Sequence, residues 1–107
     1  MRNIVIIGGG VAGLSALNRF ADLGITATLI ESGDYPAHKI CGEFFSPESV
    51  PILEKWGLSP STEMNQISLI TKESSLKFTL PEPAVSQSRF EFDQALVMRA
   101  KEKGAHI

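Results

Sequence analysis

The sequence predicts an α/β fold with a parallel sheet, opened by a β-α-β unit and carrying a small β-hairpin insertion. Four apolar residues at 4–7 are followed at once by three glycines and then by a helical pattern. A second apolar run, 25–30, comes directly after that helix. Alternation of strand and helix patterns is typical of parallel α/β sheets. Further along, 66–72 and 76–80 are short runs with partial alternation, as expected of a hairpin.

Three glycines at the junction of the first strand and the first helix fit the pattern G-x-G-x-x-G: Gly8, Gly10 and Gly13. Gly8 permits a sharp turn, Gly10 lets the backbone approach a pyrophosphate, and Gly13 lets the helix pack closely on the strand. The N–H groups at the helix start, together with the helix dipole, make an anion site. The pattern alone is common, but a strand before it and a helix after it indicate a Rossmann-like dinucleotide-binding unit.

The strands and the helix of this unit have recognisable limits. The first strand, 4–7, is rich in β-branched residues, which predicts a strand buried on both faces. Leu14 and Leu17 continue an apolar stripe that begins at Val11 with helical spacing. Gly24 is placed to end the helix in the left-handed conformation. The second strand then runs over 25–30.

Glu31 follows the second strand, 18 positions after Gly13. A carboxylate at about this spacing can accept hydrogen bonds from an adenosine ribose. Because the residue is acidic, a ribose with free hydroxyls fits better than one that carries a 2′-phosphate. The alternative is a purely structural β-α-β unit with a glycine turn and a solvated glutamate.

Bulk properties narrow the class of protein. With 107 residues, 43% of them hydrophobic and 21% charged, the chain is expected to form at most one domain. The net charge of −2 and the absence of a Lys/Arg cluster argue against nucleic-acid binding. No apolar run approaches the length of a membrane span. A single cysteine excludes an internal disulfide and favours a reducing compartment, so we expect a cytoplasmic protein.

The middle of the chain predicts a loop, a short helix and the hairpin. Residues 32–45 have no period and carry turn formers, and they leave the sheet edge where ligands bind in open α/β folds. Ser46 is placed to cap a helix that ends at Gly57, with an irregular first turn around Pro51. Pro81 is expected to end the second strand of the hairpin.

The last segment predicts a third helix and the beginning of a strand. Phe92, Leu96 and Ala100 recur at steps of four, and Gly104 is placed to end the helix. Residues 105–107 then begin a strand pattern. Because an α/β layer needs that strand to cover the helix, we expect this sequence to be the N-terminal part of a longer protein.

A further stretch carries a family resemblance. Residues 36–43 read Pro-x-x-Lys-x-Cys-Gly-Glu, and Arg89 precedes Phe92 and Asp93. Together with the glycine motif and Glu31, these residues resemble the geranylgeranyl reductase branch of flavin-dependent oxidoreductases, which share the p-hydroxybenzoate hydroxylase type of fold. The resemblance covers the whole chain, and its Lys-x-Cys-Gly stretch is its most specific part.

The resemblance implies a function and a domain role. It implies FAD, reduced by NADH or NADPH, in a reductase or monooxygenase that acts on an apolar or aromatic small molecule. It makes 1–107 the N-terminal part of an FAD-binding domain, with the hairpin at 66–80 belonging to a substrate-domain insertion. The candidate cofactor-binding residues are Gly8, Gly10, Val11, Ala12, Gly13, Glu31, Ser32, Lys39, Cys41, Gly42 and Arg89.

Several alternatives stay open at this point. Cys41 either lies beside the flavin or is a small buried hydrophobic residue. Lys39 is more simply a solvated lysine, and Arg89 reaches either the cofactor or a partner in a surface ion pair. His38 and His106 lack metal-ligand spacing, so no metal is expected. For the protein as a whole, the alternatives are an NAD-binding dehydrogenase or redox sensor, and a folded module without activity.

Overall fold

A computed structural model describes residues 3–107, and the chain divides into two compact units. The first unit comprises the described part of Met1–Ile40 together with Ser88–Ile107, and the second is Cys41–Gln87. The elements in chain order are β1 (Ile4–Ile7), α1 (Val11–Asp22), β2 (Ala27–Ile30), β3 (Phe44–Phe45), a 3₁₀ turn (Pro47–Ser49), α2 (Val50–Lys55), β4 (Thr62–Ile70), β5 (Ser75–Ser86) and α3 (Arg89–Glu102).

The first unit contains the predicted β-α-β arrangement. Strands β1 and β2 pair in parallel, with Ile4 opposite Ala27 and Ile7 opposite Ile30. A parallel bridge joins Thr28 to His106, so the chain after α3 comes back beside β2, as the strand pattern at its end predicted. The predicted α/β fold class is therefore confirmed.

The prediction that the first strand is buried on both faces is wrong. Leu29 of β2 is 1% exposed, whereas Val5, Ile7 and Ile30 are 54%, 77% and 53% exposed. Side chains alternate between the two faces of a strand, and Val5 and Ile7 lie on the exposed face of β1. The apolar run therefore predicts that a strand forms here, but not that both of its faces are buried.

Helices α1 and α3 lie side by side and run in the same direction. Leu14 and Leu17 of α1 are fully buried, as is Leu96 of α3. The buried Asn18 amide donates to the carbonyls of Leu14 and Leu96 at 2.9 and 3.0 Å. One turn further along, Arg99 donates to the side chains of Asn18 and Asp22 at 3.0 and 2.9 Å. Because the partners advance together along both helices, the two N-termini lie at the same end of the unit.

The second unit contains a three-stranded antiparallel sheet in the order β3-β5-β4. The hairpin is longer than predicted, and the expectation that Pro81 ends its second strand is wrong. The pairing moves from Gln66 opposite Thr79 to Met64 opposite Ala84, so residues 80–83 lie opposite Asn65. This bulge accommodates Pro81 and Pro83, which have no N–H to donate to a regular ladder.

Two local predictions around residue 45 also need correction. Phe44 and Phe45, predicted as loop, form β3 because they pair with Ser86 and Val85 of β5. Ser46 is the N-cap of the 3₁₀ turn, but its side chain makes no capping hydrogen bond. The irregular first turn was predicted correctly, since a 3₁₀ turn precedes α2.

Candidate functional site

The candidate site is the glycine turn that joins β1 to α1. Gly8 has a φ of +99°, a backbone conformation that residues other than glycine rarely adopt. Its N–H donates to the carbonyl of Ile30 at 2.8 Å. A Cβ atom on Gly13 would overlap the carbonyl oxygen of Gly8. The turn is therefore tied to β2 on one side and pressed against the first turn of α1 on the other.

Gly10 differs from Gly9 and Gly13 because the space beside it is open. It is the N-cap of α1, with φ −80° and ψ −169°, and its carbonyl accepts from Leu14 at 2.9 Å. A Cβ atom on Gly10 would meet nothing closer than the Arg89 Nη2 atom, 3.8 Å away. The first amides of a helix lack partners within it, and Gly10, with this open space beside it, is the residue at the N-terminus of α1. Val11 is half-buried there, and Ala12 is exposed.

Glu31 holds the turn from the end of β2. Its Oε2 atom accepts from the Gly9 N–H at 2.6 Å, and its Oε1 atom accepts from the Gly33 N–H at 2.9 Å. The Ser32 hydroxyl lies 3.4 Å from Oε1. The Gly33 and then the Gly9 backbone hydrogen bonds lower the pKa of Glu31, and the positive charge of Lys39 lowers it a little further. The carboxylate is therefore ionised at neutral pH.

Tyr35 is a residue of this site that sequence reasoning missed. Its hydroxyl donates to the carbonyl oxygen of Gly9 at 2.6 Å. Burial, followed by the negative charges of Glu31 and Asp93, raises the pKa of Tyr35. The hydroxyl is therefore protonated, and able to donate, throughout the neutral range. The sequence places this tyrosine in a segment without periodicity, which carries no signal of a contact with residue 9.

Arg89 opens α3 and forms a two-point ion pair with Asp93. Its Nε and Nη2 atoms donate to the two carboxylate oxygens at 2.7 and 2.9 Å. The Asp93 side chain is 2% exposed and that of Arg89 15%, so this is not the surface ion pair considered from sequence. Such two-point pairing fixes the plane of the guanidinium. Arginine and aspartate four positions apart on a helix are the signal that could have predicted it.

The remaining candidates lie along the loop after β2. Lys39 is exposed, as expected for a solvated lysine. Cys41 is exposed too, and its Sγ atom accepts from the Glu43 N–H at 3.3 Å, so the alternative of a small buried hydrophobic residue is wrong. The first unit brings together the glycine turn, Glu31 and Arg89, whereas Cys41 and Gly42 belong to the second unit.

A cleft of about 510 Å³ opens beside Glu31 in the first unit. Its lining includes Ile30, Asp34, Tyr35 and Val97. Pockets of this volume are typical of small-molecule sites. Among residues 3–107, His, Cys, Asp and Glu side chains form no group able to hold a metal ion. In the same range, no helix is both long enough and apolar enough to cross a membrane.

Comparison with solved structures identifies the architecture. The flavin-dependent brominase Bmp2 matches 98% of this chain with a TM-score of 0.82 and 22% identity. The flavin-dependent halogenase CmlS matches 97% with a TM-score of 0.79 and 26% identity. A geranylgeranyl bacteriochlorophyll reductase-like protein from Thermoplasma acidophilum matches 97% with a TM-score of 0.73 and 21% identity. This chain shares their fold.

The matched proteins are much longer than this chain, and they differ in function. The chain spans 29%, 22% and 28% of the lengths of these three proteins. Halogenases, a 2-methyl-3-hydroxypyridine-5-carboxylic acid oxygenase and a reductase-like protein all have the fold, so it does not single out the geranylgeranyl reductase branch. No protein-family profile matches the sequence, and no curated protein matches it significantly.

Proposed function

We propose that this chain binds FAD and forms part of an NAD(P)H-dependent flavoprotein oxidoreductase. The observation that carries the proposal is the open space at Gly10, the N-cap of α1, where the Arg89 guanidinium is the nearest group. The Glu31 carboxylate lies at the end of β2 and binds the same turn. Flavin-dependent halogenases and an oxygenase with the same fold support the choice of FAD over NAD.

The diphosphate of the cofactor is the group that fits the space beside Gly10. Helix N-termini bind anions because their free N–H groups and the helix dipole both favour negative charge. The Arg89 guanidinium, 3.8 Å from where a Gly10 Cβ would lie, adds a cation at the same place. Its pairing with Asp93 holds it in position before a ligand arrives, which reduces the entropy lost on binding.

The adenosine half of the cofactor fits beside Glu31. A carboxylate offers about four acceptor positions, and Glu31 uses its two oxygens for the Gly9 and Gly33 amides, so capacity is left for ribose hydroxyls. The cleft of about 510 Å³ next to Glu31 provides room for the rest of the nucleoside. Glu31 thus serves both the turn and the sugar.

The chemistry of the whole enzyme is proposed from the family resemblance. FAD, when bound, would supply hydride transfer to a double bond or oxygen insertion, and the residues of this chain bind and orient it. By the resemblance, Cys41 and Gly42 form the loop beside the flavin, and 66–80 belongs to the part that contacts an apolar or aromatic substrate. The exposed thiol of Cys41 is compatible with that place. A geranylgeranyl reductase-like reaction and a cytoplasmic location stay predictions.

Titration calorimetry of the purified protein with FAD, ADP and NADH tests the proposal. We expect binding of FAD and of ADP, and a bound flavin spectrum after FAD is added and the excess removed. Binding of NADH without FAD would instead support a nicotinamide-dependent dehydrogenase or redox sensor. Binding of none of the three would show a folded module without a dinucleotide site and would overturn the proposal.

A further inference from the structure

The middle residue of the glycine turn, Gly9, is held by side chains on both of its peptide groups. Its N–H donates to the Glu31 carboxylate at 2.6 Å, and its carbonyl accepts from the Tyr35 hydroxyl at 2.6 Å. Gly9 is itself buried. Both partners come from the segment that leaves β2, so one short stretch of chain holds the turn from two sides.

The second of these hydrogen bonds also sets the direction of the next amide along the turn. A peptide group is planar and trans, so its C=O and N–H point in opposite directions. The carbonyl of Gly9 and the N–H of Gly10 belong to the same peptide group. By fixing the Gly9 carbonyl, the Tyr35 hydroxyl therefore also fixes the direction of the Gly10 N–H.

Tyr35 also explains why residue 9 is a glycine. The G-x-G-x-x-G pattern leaves this position free. In this protein, a Cβ atom on Gly9 would overlap the Tyr35 hydroxyl and would lie 3.0 Å from both the Cβ and the Oε2 atoms of Glu31. The Tyr35 and Glu31 side chains therefore occupy the space that a side chain at position 9 would need.

We propose that Tyr35 is a positioning residue that holds the Gly9–Gly10 peptide so that the Gly10 N–H donates to the bound diphosphate. The inference rests on the proposed dinucleotide site and adds to it a residue outside the glycine motif. Tyr35 acts on the phosphate part of the ligand through the turn, while Glu31 acts directly on the sugar. The two residues are thus separable by ligands that contain or lack phosphate.

Tyr35→Phe is the direct test, with ADP and adenosine as ligands in titration calorimetry. The variant loses one neutral hydrogen bond, so we expect the Kd for ADP to rise about two- to tenfold. The Kd for adenosine should stay unchanged, because adenosine has no diphosphate and phenylalanine keeps the ring that lines the cleft beside Glu31. As a matched control, Ser61→Ala removes a hydroxyl-to-carbonyl bond to Ser86 in the second unit and should alter neither value.

A double-mutant cycle between positions 9 and 35 provides the second test. Gly9→Ala should weaken ADP binding and lower stability to urea in the presence of Tyr35. Both losses should be smaller when Gly9→Ala is made in the Tyr35→Ala background, which lacks the overlapping side chain. Part of each loss should remain, because a Cβ at position 9 still lies close to Glu31.

The outcomes separate this inference from the proposed function. The positioning role of Tyr35 would be overturned if wild type and Tyr35→Phe bind ADP equally well. It would also be overturned if Tyr35→Phe loses ADP and adenosine affinity to the same extent. In both cases the dinucleotide site itself would stand. Additive effects of Gly9→Ala and Tyr35→Ala would overturn the contact itself. If the wild-type protein binds neither ADP nor FAD, the proposed function and the positioning role are overturned together.

Discussion

Gly10→Val is expected to block the ligand while changing the stability of the fold only slightly. The nearest atom to a Cβ on Gly10 is Arg89 Nη2 at 3.8 Å, an ordinary van der Waals separation, and the φ of −80° suits valine. Glycine is preferred over valine at an N-cap, so the free energy of unfolding should fall by only about 1 kcal/mol. The added side chain, however, fills the place where the diphosphate is expected to lie.

The expected loss of affinity follows from the contacts that the valine blocks. A hydrogen bond to a charged group contributes about 1.5–3 kcal/mol, so losing two such bonds removes at least about 3 kcal/mol. The Kd for FAD should therefore rise a hundredfold or more, since about 1.4 kcal/mol corresponds to a factor of ten.

Gly13→Ala is the matched comparison, because its Cβ would overlap the Gly8 carbonyl oxygen within the fold. That variant should lose about 1–3 kcal/mol of stability through overpacking. Urea unfolding and flavin fluorescence titration measure the two quantities for each variant. Unchanged FAD affinity in Gly10→Val, together with retained folding, would refute the reasoning about the open space.

Three further predictions concern the charged residues. Glu31→Ala should weaken both FAD and adenosine by about tenfold to a hundredfold in calorimetry, because it removes charge-assisted hydrogen bonds to the ribose; a loss for FAD alone would contradict this. The pKa of Glu31 is lowered below its ordinary value of 4.5, so its contribution to FAD affinity should persist from pH 7 through 4.5. That contribution should disappear only as the pH falls through the lowered pKa. A decline in FAD affinity already between pH 6 and 5, abolished by Glu31→Gln, would contradict this prediction. Asp93→Ala should cost about 3–5 kcal/mol in urea unfolding, because the Arg89 guanidinium, whose side chain is only 15% exposed, loses its two-point partner. The exposed Glu102→Ala should change little, and equal effects of the two variants would show that the ion pair does not stabilise the fold.

The β-α-β unit could be predicted because its signals are local. The turn at Gly8, the close packing at Gly13 and the helix end at Gly24 each depend on a backbone position next to an apolar run. Glu31 was found by its spacing from the motif. What the spacing did not show is that Glu31 also binds the Gly9 amide, because that contact depends on how β1 and β2 pair in space.

The contacts that sequence reasoning missed bring distant residues together. Tyr35 reaches Gly9 across 26 positions, and Arg99 reaches Asn18 across 81. Neither lies in a periodic or motif position that would connect it to its partner. The wrong prediction for Pro81 has a different cause. A proline was taken as the end of a strand, and a bulge opposite Asn65 lets the strand continue past it.

The central claim is that a dinucleotide lies with its diphosphate on the first amides of α1 and its sugar on Glu31. A titration of the ¹⁵N-labelled protein with FAD, followed by amide chemical shifts, tests it most directly. We expect the largest shifts at Gly10, Val11 and Ala12, with a second group at Ser32 and Gly33 beside Glu31. Shifts confined to the hairpin of β4 and β5, with these amides unmoved at saturating FAD, would contradict it.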